Sequence, residues 1–307
     1  MTLGEVFENV LNLIQNKGPG PDDIPAKILV NCVYSLSRPI YLLFKLSLES
    51  GVFPEQWKYS FVTPIFKSGN QSDAKNYRPI SILGSIPKLL EKIVCDHIKS
   101  SVMLGIGQEQ HGFCKGRSTA TNMITFTQTV LGALESGCQV DAVYTDFSKA
   151  FDTVNHRVLA HKLECFGFAG TLLKWLVLYI SNRKQFVKVK GFVSQEISVT
   201  SGVPQGSHLG PYLFNIFIND LRQEIRFSQP LFFADDLKLF AVVNSFEDTV
   251  KIQDDLNRVC EWYNKNMMVL NIKKCKIITF TRIKRPLICD YSLNNNILER
   301  VTTIYAT

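Results

Sequence analysis

Four aspartates fall into two groups whose types and spacing suit a divalent cation. "TDFSKAFD" supplies Asp146 and Asp152, and "FFADDLKLF", far downstream, supplies the adjacent pair Asp235 and Asp236. Like charges set side by side among apolar residues break a local rule, and a hard cation such as Mg²⁺ is the obvious compensation. Two such ions suit phosphoryl transfer. One lowers the pKa of an attacking hydroxyl and the other stabilises a leaving pyrophosphate, so the protein needs only carboxylates and positioning. An isolated Asp-Asp is more often a solvated acidic turn, and a third carboxylate, Asp146, changes that balance. A calcium loop is the rival for Asp141, Asp146 and Asp152, but the chain lacks the alternating acidic pattern and its glycine. None of the five histidines has metalloprotease spacing, and His156 and His208 read equally well as structural hydrogen-bonders.

These carboxylates need elements that bring them together. Leu231, Phe232 and Phe233 read as one buried strand and Leu237, Leu239 and Phe240 as its partner, a hairpin with the aspartates near its turn. "VDAVYTDF" alternates, so Val140, Ala142, Tyr144 and Asp146 share a face and Asp146 lies at the strand's end. If both strands belong to one sheet, the two groups of aspartates face a common point. Around them the periodicity predicts a first helix through Val6, Phe7, Val10, Leu11 and Ile14, broken by "KGPGPDDIP", and a second helical run to Leu48. Ile86, Leu89, Leu90, Ile93 and Val94 mark another amphipathic helix, and one begins near Pro211. "SFED" at 245–248 has the form of a capping box. Helices and short strands without regular βαβ alternation predict an α+β architecture around an antiparallel sheet.

The 307 residues can bury a sizeable core. Lys+Arg 34 against Asp+Glu 27 gives a net charge of +7, which favours a polyanionic partner. Eight scattered cysteines without a CxxC pair argue against structural zinc or a disulfide framework, and read as reduced, intracellular thiols. "FAGTLLKWLVLYI" is too short to span a bilayer and the N-terminus lacks an apolar signal core, so no membrane role is expected.

"TDFSKAFDTVNH", "SGVPQGSHLGPYLFNIFINDL" and "FFADDLKLF" together resemble motifs A, B and C of the reverse transcriptases of non-LTR (LINE-type, jockey-like) retrotransposons. The resemblance extends through "GPDDIPAKIL", "VTPIFKSGNQSDAKNYRPISILGSIPKLLEKIV", "GFCKGRSTATN", "YISNRKQFVKVKG" and "LNIKKCKIITF", nearly the whole chain. It implies an RNA-directed DNA polymerase core with a right-hand polymerase fold: an N-terminal helical extension over 1–17, and fingers over 18–139 with a return segment near 165–200. The palm would comprise 140–164 and 201–307, an antiparallel sheet packed on helices. Its cofactor would be two Mg²⁺ ions, with Mn²⁺ as substitute. Its partners would be an RNA template, a DNA primer and deoxynucleoside triphosphates, in the nucleus or cytoplasm.

Carried over residue by residue, the resemblance makes Asp146, Asp235 and Asp236 metal ligands and catalytic residues, with Asp236 ranked below the other two because adjacent strand residues face opposite ways. Lys274 takes the place of a lysine near the leaving pyrophosphate, where an ammonium can act as general acid. Lys67 and Arg78 match residues that clasp the triphosphate. Phe147 and Phe151 fall among the nucleotide-binding residues, and the Phe151 ring would exclude a ribose 2′-hydroxyl. Taken alone Phe151 reads as a core phenylalanine. Gln205 and Gly206 match the loop that borders nucleotide and template, with Gly202 also allowing close backbone approach. Cys275 is expected to be structural. The chain departs from the family where Tyr-Leu-Gly is expected at "TIYAT", and no thumb, endonuclease or cysteine-histidine segment is recognised. The alternative is therefore a truncated, inactive RNA-binding remnant of a polyprotein. An RNA-dependent RNA polymerase shares the palm logic but is disfavoured by Phe151, and an intron maturase would carry a further RNA-binding domain.

Overall fold

The computed structural model describes residues 1–16 and 18–303. In chain order its elements begin with α1 (Leu3–Leu11), α2 (Ala26–Asn31), α3 (Val33–Ser50), β1 (Tyr59–Phe66), β2 (Tyr77–Leu83) and α4 (Ser85–Gly105). There follow α5 (Thr119–Glu135), β3 (Gln139–Thr145), α6 (Ala150–Thr153), α7 (His156–Cys165), α8 (Gly170–Ile180), β4 (Arg183–Val189), β5 (Phe192–Val193) and β6 (Ile197–Val199). Next come α9 (Gly210–Ile218), α10 (Leu221–Glu224), β7 (Gln229–Phe233), β8 (Asp236–Val243) and α11 (Phe246–Lys265). The described chain closes with β9 (Lys276–Phe280), β10 (Ser292–Leu293), β11 (Asn296–Ile297) and β12 (Glu299–Arg300). The chain divides into two units, residues 1–104 with 154–213 and residues 105–153 with 214 onward. The expected boundary at residue 17 and the "IYAT" of the expected Tyr-Leu-Gly match lie outside the described residues.

In the first unit α1 starts on a capping box, Thr2 with Glu5, and buries Val6 and Val10. It stops short of Ile14, which is exposed. Asn12 ends it, its side-chain amide donating to the Glu8 carbonyl at 2.9 Å, so the helix finishes before the apolar stripe does. The sheet of this unit runs β2-β1-β4, with β5 and β6 both pairing β4. β1 and β2 form an antiparallel hairpin and β1 pairs β4 in parallel, so this sheet is mixed. Helices separate β1 from β4 in sequence, and such a crossover is what a parallel pair requires. The core is aromatic. Phe53 meets Trp175 and Tyr179 edge-on, each at 5.3 Å, and the Trp175 indole donates to Ser47 Oγ at 2.9 Å.

In the second unit the order is β12-β9-β3-β8-β7, antiparallel except for the β12–β9 pair. Here the expected hairpin and the expected alternation both hold. Phe126, Val130 and Ala133 of α5 pack on Val140, Ala142, Leu231 and Phe240, one face of the sheet. α11 begins at the expected capping box, Ser245 with Asp248, and buries Leu256, Val259 and Tyr263. β3 therefore lies inside the sheet between β8 and β9, and both its neighbours end where it ends.

Candidate active site

The register of the second unit's sheet brings two of the predicted carboxylates side by side. Thr145, the last residue of β3, pairs with Leu237 of β8, so the next positions outward are Asp146 and Asp236. Across the hairpin Phe233 pairs with Asp236, which leaves Ala234 and Asp235 as a two-residue turn. Ala234 carries the turn's left-handed conformation, at φ 54°. The turn is thus Ala-Asp, and Asp236 is the first residue of the returning strand.

Asp146 is fixed from its other side by the segment after α11. Asn271 N–H donates to the Asp146 carbonyl and Ser148 N–H to the Val269 carbonyl, each at 2.8 Å. A short helical turn, Ile272–Lys274, then carries the Lys274 Nζ to 3.4 Å from Asp146 Oδ2. The predicted general acid and the predicted metal ligand therefore meet. The intervening Cys275 is buried, its thiol pushed up to about 11 chiefly by that burial, and it donates to the Asn271 carbonyl, the structural role expected of it.

The two phenylalanines differ. Phe147 is 4% exposed, with its ring edge-on to Tyr263 at 4.9 Å. Phe151 sits on α6 and is half-buried, stacked on Phe214 at 4.4 Å and edge-on to the half-exposed Phe113 at 6.3 Å.

The other predicted residues belong to the first unit. Lys67 and Arg78 lie on the β1–β2 hairpin, both exposed. Ile65 pairs with Arg78 and Lys67 stands two residues further, so the two basic side chains share one face. The loop before α9 docks on β2, where Ser81 N–H donates to the Gln205 carbonyl at 2.8 Å. Gly206 has φ 99°, a conformation only glycine adopts freely, and accepts from Lys88 Nζ at 3.1 Å. His156 Nε2 lies 2.8 Å from the Gly202 carbonyl and its pKa is lowered by burial, consistent with the structural reading. His208 N–H donates to the wholly buried Glu91, whose carboxyl is pushed up to about 7 by desolvation.

Asp141, weighed above for a calcium loop, is committed elsewhere. It is buried and accepts from Tyr291 Oη and Thr279 Oγ1 at 2.8 Å and from Gln139 Nε2 at 3.0 Å. Sequence reading missed Gln110, whose buried side chain binds the Ala234 backbone at both its N–H and its carbonyl. An uncharged residue in a loop gave no signal. The donor set of Asp146, Asp235 and Asp236 is all carboxylate oxygen, which fits a hard divalent cation. As placed, no three acidic, histidine or cysteine side chains among the described residues are gathered closely enough to form a complete cage.

Residues 65–298 match the family model for reverse transcriptase (RNA-dependent DNA polymerase). The chain is similar to the probable RNA-directed DNA polymerase from transposon BS of Drosophila melanogaster, 27% identical over 96% of this chain and 34% of that protein. It is similar also to the RNA-directed DNA polymerase from mobile element jockey of the same fly, 28% identical over 91% of this chain and 32% of that protein. The chain thus spans about a third of the length of these curated relatives. Among solved structures, apo telomerase from Candida tropicalis, truncated from the C-terminal domain, aligns with a TM-score of 0.55. That alignment covers 84% of this chain and 58% of the telomerase chain at 12% identity, a likeness of fold.

Proposed function

The chain belongs to the reverse transcriptase (RNA-dependent DNA polymerase) family, and on that premise we propose that it extends a DNA primer on an RNA template from deoxynucleoside triphosphates. The observation that carries this reading is the register that sets Asp146 beside Asp236, with Asp235 in the adjoining turn. Asp146 and Asp235, with Asp236 in support, would hold Mg²⁺, or Mn²⁺ in its place. When bound, such ions supply a more acidic primer hydroxyl and charge neutralisation at the phosphates. The chain's own residues do the rest. Lys274, already beside Asp146, gives a proton to the departing pyrophosphate. Phe151 limits the space at the sugar's 2′ position. In the first unit, Lys67 and Arg78 are assigned to the triphosphate and the Gln205–Gly206 loop to the nucleotide and template.

We read the second unit as the larger part of a palm and the first as the larger part of the fingers. The eight cysteines are unpaired thiols, and among the described residues no helix is long and apolar enough to cross a membrane. The free thiols suit work in the nucleus or cytoplasm. Primer extension on an RNA template, with deoxynucleotides and with ribonucleotides, tests the reading. Templated deoxynucleotide addition, lost in Asp146→Asn, is the expected result. RNA binding without extension by the unaltered chain would favour the RNA-binding remnant instead.

A further inference from the structure

Asp235 sits in a turn that its own sequence does not favour. A two-residue hairpin turn with positive φ at its first position ordinarily takes glycine or asparagine there, and this chain has Ala234. An alanine held at φ 54° persists only where its surroundings over-determine it.

Those surroundings are one side chain and its loop. Gln110 Oε1 accepts the Ala234 N–H at 2.9 Å and the Gly112 N–H at 2.7 Å, and Gln110 Nε2 donates to the Ala234 carbonyl at 3.2 Å. Two N–H donors converging on one atom identify it as the amide oxygen. The Ala234 carbonyl belongs to the peptide bond that leads into Asp235, so this amide fixes the plane from which the Asp235 side chain departs. The loop is itself anchored to β7. His111 N–H donates to the Phe232 carbonyl and Phe232 N–H to the Glu109 carbonyl, each at 2.9 Å, and Asn215 Nδ2 donates to the Gly112 carbonyl at 2.9 Å. A Cβ at Gly112 would overlap the Ala234 amide nitrogen, so the loop lies against the turn as closely as a backbone can.

We propose that Gln110 is a positioning residue for Asp235, holding the Ala234–Asp235 turn in its left-handed form through paired hydrogen bonds to both sides of Ala234. The kinetic part of this rests on the polymerase reading above; the geometric part does not. Gln110→Met keeps the length and removes the hydrogen bonds. Gln110→Glu keeps both accepted bonds and loses the donated one. In the methionine variant, amide hydrogen exchange at Ala234 and Gly112 should rise about tenfold or more while Val143, inside β3, keeps its protection. The glutamate variant should retain protection at Ala234. With primer–template, the methionine variant should lose about a hundredfold in kcat with the deoxynucleotide KM little changed, the pattern of a misplaced group. If the methionine variant fails to fold, Gln110→Asn, one methylene short of the turn, gives the same reading. Unchanged exchange at Ala234 would overturn the proposal. So would a loss of protection shared equally by Val143, with kcat tracking the melting temperature. If the unaltered protein extends no primer, the function falls while the exchange result still decides the positioning.

Discussion

Strand β3 has a carboxylate near each end, Asp141 within it and Asp146 just beyond its last residue, and the fold treats the two oppositely. Asp141 has no side-chain exposure, and its oxygens are taken up by Tyr291, Thr279 and Gln139, with the Arg300 guanidinium at 3.8 Å. Asp146 is 26% exposed and faces the Lys274 ammonium at 3.4 Å. Filled lone pairs make Asp141 part of the frame that joins β3, β9 and the chain near β12. Asp146, reachable by solvent beside a mobile-length lysine side chain, keeps the capacity to bind something else. The residue type is the same and both belong to the β3 segment, so the difference lies in what the rest of the chain delivers to each end.

The largest test of that contrast exchanges charge for shape. Asp146→Asn and Asp235→Asn should each bring primer extension below detection with a melting temperature close to that of the parent. Asp141→Ala should do the reverse, costing about 3–5 kcal/mol of stability by leaving three donors and the half-buried Arg300 without their shared acceptor, yet retaining activity wherever it remains folded. Inactive but folded Asp141→Ala would break the division. Next, Lys274→Ala should lower kcat about a hundredfold with little change in nucleotide KM, and Lys274→Arg should recover little, because a guanidinium does not give up its proton. Recovery by arginine in steady-state kinetics would make Lys274 a counter-ion for Asp146 and nothing more.

A smaller effect is expected at Phe151. Phe151→Val should raise ribonucleotide incorporation relative to deoxynucleotide about tenfold, and loss of its stack on Phe214 should cost about 1 kcal/mol in the melting curve. Destabilisation with unchanged sugar preference would reduce Phe151 to packing. An effect on stability alone, with no change in activity, concerns Glu91, a buried carboxylate of the first unit whose Oε1 has no hydrogen-bond partner among the described residues. Its folded pKa of about 7 lies above the ordinary 4.5, with desolvation the main cause and the Arg183 charge opposing it. Its stabilising share is therefore whole below pH 4.5 and is lost as pH rises through 7. Between pH 5 and 8 the parent should lose about 2 kcal/mol relative to Glu91→Gln in denaturant titrations. Parallel pH profiles would refute this.

What the sequence made legible was local. The hairpin at 231–240, the Ser245 capping box and the burial of Val140 and Ala142 follow from period and capping, which neighbouring residues carry. The resemblance singled out Asp146 and Lys274 one by one; their approach to 3.4 Å is a product of the fold. What stayed hidden depends on partners distant in the chain. The parallel β1–β4 pair, the Tyr291 and Arg300 contacts of Asp141 and the Tyr263 ring against Phe147 leave no periodic trace near the residues they decide. Gln110 escaped for a further reason: its work is done on backbone groups, which any sequence possesses.

The burial of Cys275 bears on how this molecule can be labelled. A thiol reacts with a maleimide as its thiolate, and one pushed up to about 11 and shut away from solvent offers almost none at neutral pH. Cys32 and Cys165, both in the first unit, are exposed. A fluorophore should therefore attach at those two positions in the first unit while the cysteine next to Lys274 stays unmodified.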